Sequence, residues 1–179
     1  YKKAIEIKPQ YFKAHLNIGH ALRDRGDLKL AIDSYKQAIK INPSYANTYF
    51  NMGITLKDIG DLNAAIESYQ KAIKIKSDYA EAYLNMGIAL SEKGEFDAAI
   101  SSYKEAIKIK PNYAEAYNNI ANALAGKGDL DAAIGNFEKS LKINSGVAET
   151  YYNMGVVLRS RGELDLAIHG YQQAIKINP

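Results

Sequence analysis

Residues 80–113 read AEAYLNMGIALSEKGEFDAAISSYKEAIKIKPNY, and this stretch decides the fold because its pattern recurs every 34 residues along the chain. One glycine marks the same position in five successive copies: Gly26, Gly60, Gly94, Gly128 and Gly162. A fixed period of this length indicates stacked units that each contact their neighbours. It argues against a globular domain built around one buried catalytic site.

Each unit is predicted to be a pair of helices. Tyr83, Met86 and Leu90 share one face of the first helix, at the spacing typical of an amphipathic segment. Gly94 then interrupts the pattern and can adopt the left-handed conformation that ends a helix. A second amphipathic segment follows and closes at Pro111, since proline does not continue a helix interior. The unit is therefore a helix hairpin.

Residues at the same position of successive repeats form a column, and two further columns are predicted to pack the hairpins together. Four first helices carry a mid-helix glycine, which costs about 1 kcal/mol relative to alanine and so indicates a close approach of two helices. These glycines are Gly19, Gly53, Gly87 and Gly155. An aromatic column on the second helices is expected to fill the space between successive hairpins: Tyr35, Tyr69, Tyr103, Phe137 and Tyr171.

The pattern of the type unit resembles the tetratricopeptide repeat (TPR). The residues that carry the resemblance are Tyr83, Met86, Gly87, Leu90, Gly94, Ala99, Tyr103, Ala106 and Pro111. The resemblance implies an all-α, right-handed superhelical solenoid of antiparallel hairpins, with first helices lining a concave groove. Five full repeats are expected at residues 12–45, 46–79, 80–113, 114–147 and 148–179, with no capping helix after the last. Residues 1–11 would be the second helix of a truncated repeat.

Composition excludes several classes of function. The formal net charge is +3, from 23 basic and 20 acidic residues, so there is no basic excess of the kind that nucleic-acid binding requires. The absence of cysteine excludes disulfides and thiolate zinc sites. The three histidines, His15, His20 and His169, do not have metal-ligand spacing, and no catalytic motif occurs. We expect a protein that is not an enzyme, has no cofactor, binds no membrane, and resides in the cytoplasm.

One column is a candidate binding surface because packing does not dictate it. This asparagine column has one member on each first helix: Asn17, Asn51, Asn85, Asn119 and Asn153. A carboxamide offers an acceptor and a donor side by side, which matches the backbone of an extended peptide. Helices about 8–10 Å apart would meet every third residue of such a peptide, so five repeats would hold roughly 15 residues. Neighbouring positions complete the predicted groove site: His20, Asp24, Asp58, Glu92 and Asn122.

The asparagines have an alternative interpretation, which is hydrogen bonding within the array. An asparagine ladder also resembles the TPR region of O-linked N-acetylglucosamine transferases and similar bacterial proteins. That resemblance implies a substrate-holding arm whose catalytic domain is absent from this chain. Head-to-tail self-association through exposed end faces is a third hypothesis. The carboxylate clamp of chaperone-binding TPR proteins is not matched, since its cation column reads Leu16, Phe50, Leu84, Asn118 and Tyr152.

Overall fold

The computed structural model describes residues 11–179, which form ten α-helices and no strand. The half repeat expected at residues 1–11 lies, apart from Tyr11, outside the described residues. The chain divides into two compact units, Tyr1–Lys93 and Gly94–Pro179. The first contains α1 (Phe12–Asp24), α2 (Leu28–Ile41), α3 (Ala46–Asp58), α4 (Leu62–Ile75) and α5 (Ala80–Glu92). The second contains α6 (Phe96–Ile109), α7 (Ala114–Gly126), α8 (Leu130–Ile143), α9 (Ala148–Ser160) and α10 (Leu164–Ile177).

The first unit is built from the hairpins α1–α2 and α3–α4, and α5 packs against α4. Its core joins each hairpin to the next, because Tyr35 of α2 and Leu16 of α1 belong to one buried cluster, and Met52 of α3 packs against that cluster. Ala72 of α4 and Ala82 of α5 meet in a second cluster, where neither side chain is exposed. The repeating core of small and aromatic residues thus confirms the predicted all-helical hairpin fold.

The second unit repeats this arrangement with α6 packed on α7, followed by the hairpins α7–α8 and α9–α10. Ile134 of α8 is only 8% exposed because Val157 and Leu158 of α9 cover it. The equivalent residue of α10, Ile168, is 53% exposed. The outer face of α10 therefore presents to solvent the same apolar column that is buried on α8.

The turn inside each hairpin depends on its glycine. Gly60 has φ +82°, a left-handed conformation that residues with a side chain rarely adopt. Its N–H donates to the carbonyl oxygen of Lys57 at 2.8 Å, and the N–H of Asp61 donates to that of Leu56 at 3.0 Å. These two bonds satisfy carbonyls at the end of α3, in the pattern of a Schellman motif. The other four turn glycines have φ between +79° and +90°, which confirms the predicted helix ends.

The mid-helix glycines make room for an aromatic ring. A Cβ atom on Gly53 would lie 2.6 Å from Cε1 of Tyr69, the fully buried tyrosine of the same hairpin. Gly19 stands in the same relation to Tyr35, where the distance would be 2.4 Å. The close approach inferred from the sequence is therefore one of helix backbone to tyrosine ring. The tyrosine column packs within its own hairpin as well as against the next one.

Candidate functional site

The first three members of the asparagine column lie in the first unit on α1, α3 and α5, and each is half-buried. These helices are neighbours, since α1 contacts α3 and α3 contacts α5. Nδ2 of Asn51 donates to the carbonyl oxygen of Asn47 at 2.8 Å, and Nδ2 of Asn85 donates to that of Glu81 at 2.9 Å. At these two positions the amino group is bonded within its own helix, as the alternative interpretation expected. The carboxamide oxygen Oδ1 is left as the group that can accept from a ligand.

The last two members of the column lie in the second unit, with Asn119 on α7 and Asn153 on α9. Both are half-buried, and α7 contacts α9. Asn122, three residues after Asn119 on α7, is exposed. In each unit the column therefore follows adjacent first helices, but binding by these residues stays a prediction.

The side chain of His20 is more enclosed than expected for a residue that lines an open groove. Its ring lies edge-on to Tyr35, with centroids 5.7 Å apart, and its Nε2 is buried without a hydrogen-bond partner among the described residues. Burial lowers the pKa of His20 from its ordinary value; nearby Asp24 opposes this shift, and Arg23 adds to it. The imidazole is thus held in its neutral form, in which one ring nitrogen is an acceptor.

The acidic residues predicted for the groove lie at the ends of first helices, and two of them are paired. Asp58 contacts Arg23 with an Nε–Oδ2 distance of 3.4 Å, and Glu92 contacts Lys57 with an Nζ–Oε1 distance of 3.8 Å. Each pair joins one first helix to the next. Asp24 is exposed at the end of α1.

The second unit uses charges in a related way. Lys127 pairs with Asp97, and Arg161 pairs with Asp131, so a residue just after each first helix bonds to the preceding second helix. The basic partners in both units were not identified from the sequence. The sequence feature that could have identified them is a constant separation between the basic residue and its acidic partner, which is 35 residues in the first unit and 30 in the second.

A polar cavity of about 360 Å³ lies in the second unit between α7, the end of α8 and α9. Asn118 lines it, and its Oδ1 is buried with no hydrogen-bond partner within residues 11–179. From the sequence, Asn118 is only a mismatch to a carboxylate clamp. The sequence feature that could have revealed it is that the equivalent residues of the first three repeats are apolar: Leu16, Phe50 and Leu84.

The described part of the chain holds no cluster of three or more histidine or acidic side chains able to bind a metal ion. None of the helices between residues 11 and 179 has the length and apolar character needed to cross a bilayer.

Comparison with known proteins agrees with the helical repeat. The family profile described as TPR repeat matches residues 19–60, 55–94 and 89–128, and that described as Tetratricopeptide repeat matches residues 112–179. No curated protein matches the chain.

Three solved structures are similar over almost their whole length. A crystal structure of MamA is 33% identical with a TM-score of 0.82, covering 89% of this chain and 94% of that one. MamA 41-end from Desulfovibrio magneticus RS-1 is 19% identical with a TM-score of 0.85, covering 93% and 94%. YrrB, described as a TPR protein with an unusual peptide-binding site, is 24% identical with a TM-score of 0.78, covering 99% and 92%. Because the last two structures are less than 25% identical to this chain, their similarity shows a shared fold and nothing more.

Proposed function

Because the chain belongs to the tetratricopeptide repeat family, we propose that it is a non-catalytic scaffold that binds an extended peptide segment along the asparagine column. The observation that carries the proposal is the half-buried asparagine on each first helix, on α1, α3 and α5 of one unit and α7 and α9 of the other. Partial burial limits the conformations of each carboxamide, while the exposed part stays accessible to a ligand. We also propose a cytoplasmic location, as expected from the sequence.

The hydrogen bonds of Asn51 and Asn85 refine the mode of binding. Since each Nδ2 is bonded within its helix, Oδ1 is the acceptor that meets a peptide N–H. One net hydrogen bond contributes about 0.5–1.5 kcal/mol, so five such bonds supply about 5 kcal/mol. Micromolar affinity needs about 8 kcal/mol, and side-chain contacts must supply the difference.

The test begins by selecting binders from a displayed library of random peptides of about 15 residues, the length that five repeats would hold. Dissociation constants are then measured by fluorescence anisotropy for the protein and for the double variant Asn51→Ala, Asn85→Ala. Loss of two hydrogen bonds predicts binding weaker by about tenfold or more.

Asn63→Ala is the matched control, because Asn63 is an exposed asparagine on α4, a second helix. It should bind like the unaltered protein. Equal affinity of the double variant and this control would show that the asparagine column has a structural role only.

Self-association is a second candidate function, favoured by the outer face of α10. Ile168 is 53% exposed, whereas Ile134 at the same place on α8 is 8% exposed. The first helix of a following repeat covers Ile134, so a helix of the same kind from a second copy fits the face of α10. Light scattering against concentration should show association that Ile168→Glu abolishes. Ile75→Glu is the control, since Ile75 is 41% exposed on α4 of an internal repeat. A monomer at all concentrations would exclude this candidate.

A further inference from the structure

We propose that an apolar cavity with a lysine rim, formed by α6, α7 and α8 of the second unit, binds a free medium-chain fatty acid. Its volume of about 510 Å³ lies in the range of small-molecule sites. Tyr117, Ile120 and Leu124 line it from α7, at the i, i+3, i+7 spacing of one helix face. Asn119 lies outside that face, so this site is separate from the asparagine column and goes beyond the proposed peptide binding.

One end of this lysine-rimmed cavity is apolar. Ile100 of α6, Leu124 of α7 and Ala132 of α8 line that end. They lie together because Ile100 and Ala132 are near the starts of α6 and α8, while Leu124 is near the end of the antiparallel α7. The carbonyl oxygen of Leu124 accepts from the N–H of Asp129 at 3.0 Å, just before α8 begins. This end can therefore bury a hydrocarbon chain but offers it no charge.

The other end of the cavity is cationic, because Lys104 and Lys108 of α6 and Lys139 of α8 lie there. Nζ of Lys139 is 6.0 Å from the ring centroid of Tyr117, which places the later half of α8 beside the start of α7. Lys108 pairs with Glu105, whereas Lys104 and Lys139 have no acidic partner among the described residues. None of the described residues that line the cavity is acidic. Two ammonium groups are thus available to an anion.

Helix stabilisation does not account for these two lysines. A lysine in the last turn of a helix interacts favourably with the helix dipole, and Lys108 on α6 has that position. This effect is confined to the last turn, and both Lys104 and Lys139 precede the last turn of their helices. Their charges are therefore not explained by the helices that carry them.

The next repeat shows that the polarised cavity is not a constant of the fold. The equivalent cavity between α8, α9 and α10 has a volume of only about 260 Å³. Glu138 there takes the place of Lys104, and Leu166 takes the place of Ala132. One change reverses the charge of the rim, and the other puts a larger side chain at the apolar end.

An aliphatic chain fits this cavity better than an extended peptide does. Every residue of a peptide brings an N–H and a C=O that need partners when they are buried. The uncharged polar groups of the lining are those of Asn136 and Tyr117, and Nδ2 of Asn136 already donates to the carbonyl oxygen of Ala132 at 2.8 Å. A hydrocarbon chain needs no such partners.

The length of the cavity sets the length of the ligand. Ile100 and Lys108 are eight residues apart on α6, which corresponds to about 12 Å along the helix. Ten carbons in a zigzag of bonds of about 1.5 Å cover about 11 Å. Decanoate would thus place its tail at the apolar end and its carboxylate between the lysines.

The test titrates the full chain with decanoate below its micelle-forming concentration and follows the methyl groups in ¹H–¹³C spectra. Those of Ile100, Ile120 and Leu124 should shift and saturate. Decylammonium has the same tail and the opposite charge, and it should bind at least tenfold more weakly. Butanoate, which has the carboxylate without the tail, should give no saturable shift. Equal affinity for decanoate and decylammonium, or saturation by butanoate, would overturn the proposal.

A variant that fills the apolar end tests the position of the tail. Ala132→Leu should abolish saturable decanoate binding, and its thermal melt should show an intact fold because Leu166 is the natural residue at this position of the fifth repeat. Ala98→Leu is the matched control, since Ala98 holds the same position on α6 and does not line the cavity. It should bind decanoate unchanged. Undiminished binding by Ala132→Leu would place the ligand elsewhere and refute the site.

A second variant tests the charge. Lys104→Gln combined with Lys139→Gln should bind decanoate about fivefold more weakly, and glutamine occurs naturally at both equivalent positions, as Gln70 and Gln173. The control removes two exposed lysines outside the cavity, Lys74→Gln with Lys142→Gln, and should have no effect. Equal affinities of the two double variants would exclude the lysines as the selecting groups.

The methyl readout also identifies which unit binds. The first unit carries lysine at the same three positions, namely Lys36, Lys40 and Lys71. Decanoate should shift the methyl groups of the lysine-rimmed cavity in the second unit. Shifts confined to Ile32 and Leu56, the counterparts of Ile100 and Leu124, would overturn the assignment of the site.

Discussion

Replacing Gly53 by alanine tests the contact between helix and ring that closes each hairpin. Alanine is the better helix former by about 1 kcal/mol, so propensity alone predicts a gain in stability. The new Cβ atom, however, would lie 2.6 Å from Cε1 and 2.8 Å from Cδ1 of Tyr69, which is fully buried. Overpacking of a core costs about 1–3 kcal/mol. The expected net result is a loss of about 1 kcal/mol in the free energy of unfolding.

Gly135→Ala is the matched control, since Gly135 lies inside α8 and a Cβ atom there would meet nothing within 4 Å. It should gain about 1 kcal/mol, which separates the two variants by about 2 kcal/mol. Urea unfolding followed by circular dichroism measures both. If Gly53→Ala proved as stabilising as Gly135→Ala, the tyrosine ring would not be the reason for glycine at this position.

The fourth repeat suggests a rescue of the Gly53 variant. There the equivalent pair is Ala121 and Phe137, and both are fully buried in one cluster. The hydroxyl of Tyr69 is buried and unpartnered among the described residues, so its removal leaves the ring freer to move. Gly53→Ala combined with Tyr69→Phe should therefore recover stability, with a coupling energy of about 0.5–1 kcal/mol. Strictly additive effects would contradict this account.

Two further predictions concern charge. Because burial lowers the pKa of His20 in the folded protein, the unfolded chain binds that proton more readily, so His20 makes stability fall as the pH drops through 6.5. His20→Ile, which copies the residue at Ile54, should lose less melting temperature than the unaltered protein between about pH 7.5 and about pH 5.5; an equal loss would remove His20 as the cause. Asp58→Asn breaks the pair with Arg23, whose side chains are about one third exposed, and should cost less than about 1 kcal/mol in urea unfolding. The cost should vanish near 1 M salt, and a larger or salt-independent loss would indicate a buried role.

The sequence predicted the hairpin fold well because the features that define it are local and repeated. Gly60 shows this, since one residue type at one position of every unit determines where the helix ends. The hydrogen bond from Asn51 to Asn47 was harder to predict, because a carboxamide can bond to its own helix or to a ligand, and the spacing of the asparagines does not distinguish these two cases. The cavity at Asn118 was missed for a different reason. A pattern shared by all the repeats does not show the single repeat that departs from it.

That single difference has a consequence for how a peptide would align. Within one unit, identical asparagines on successive first helices give a bound chain alignments that are shifted by one repeat and nearly equal in energy. The column of Asn118 breaks this translational symmetry, because its other members are Leu16, Phe50, Leu84 and Tyr152. A peptide whose contacts differ between Asn118 and its apolar counterparts would then have one preferred alignment. Backbone contacts would hold the peptide, and one unlike repeat would determine its position.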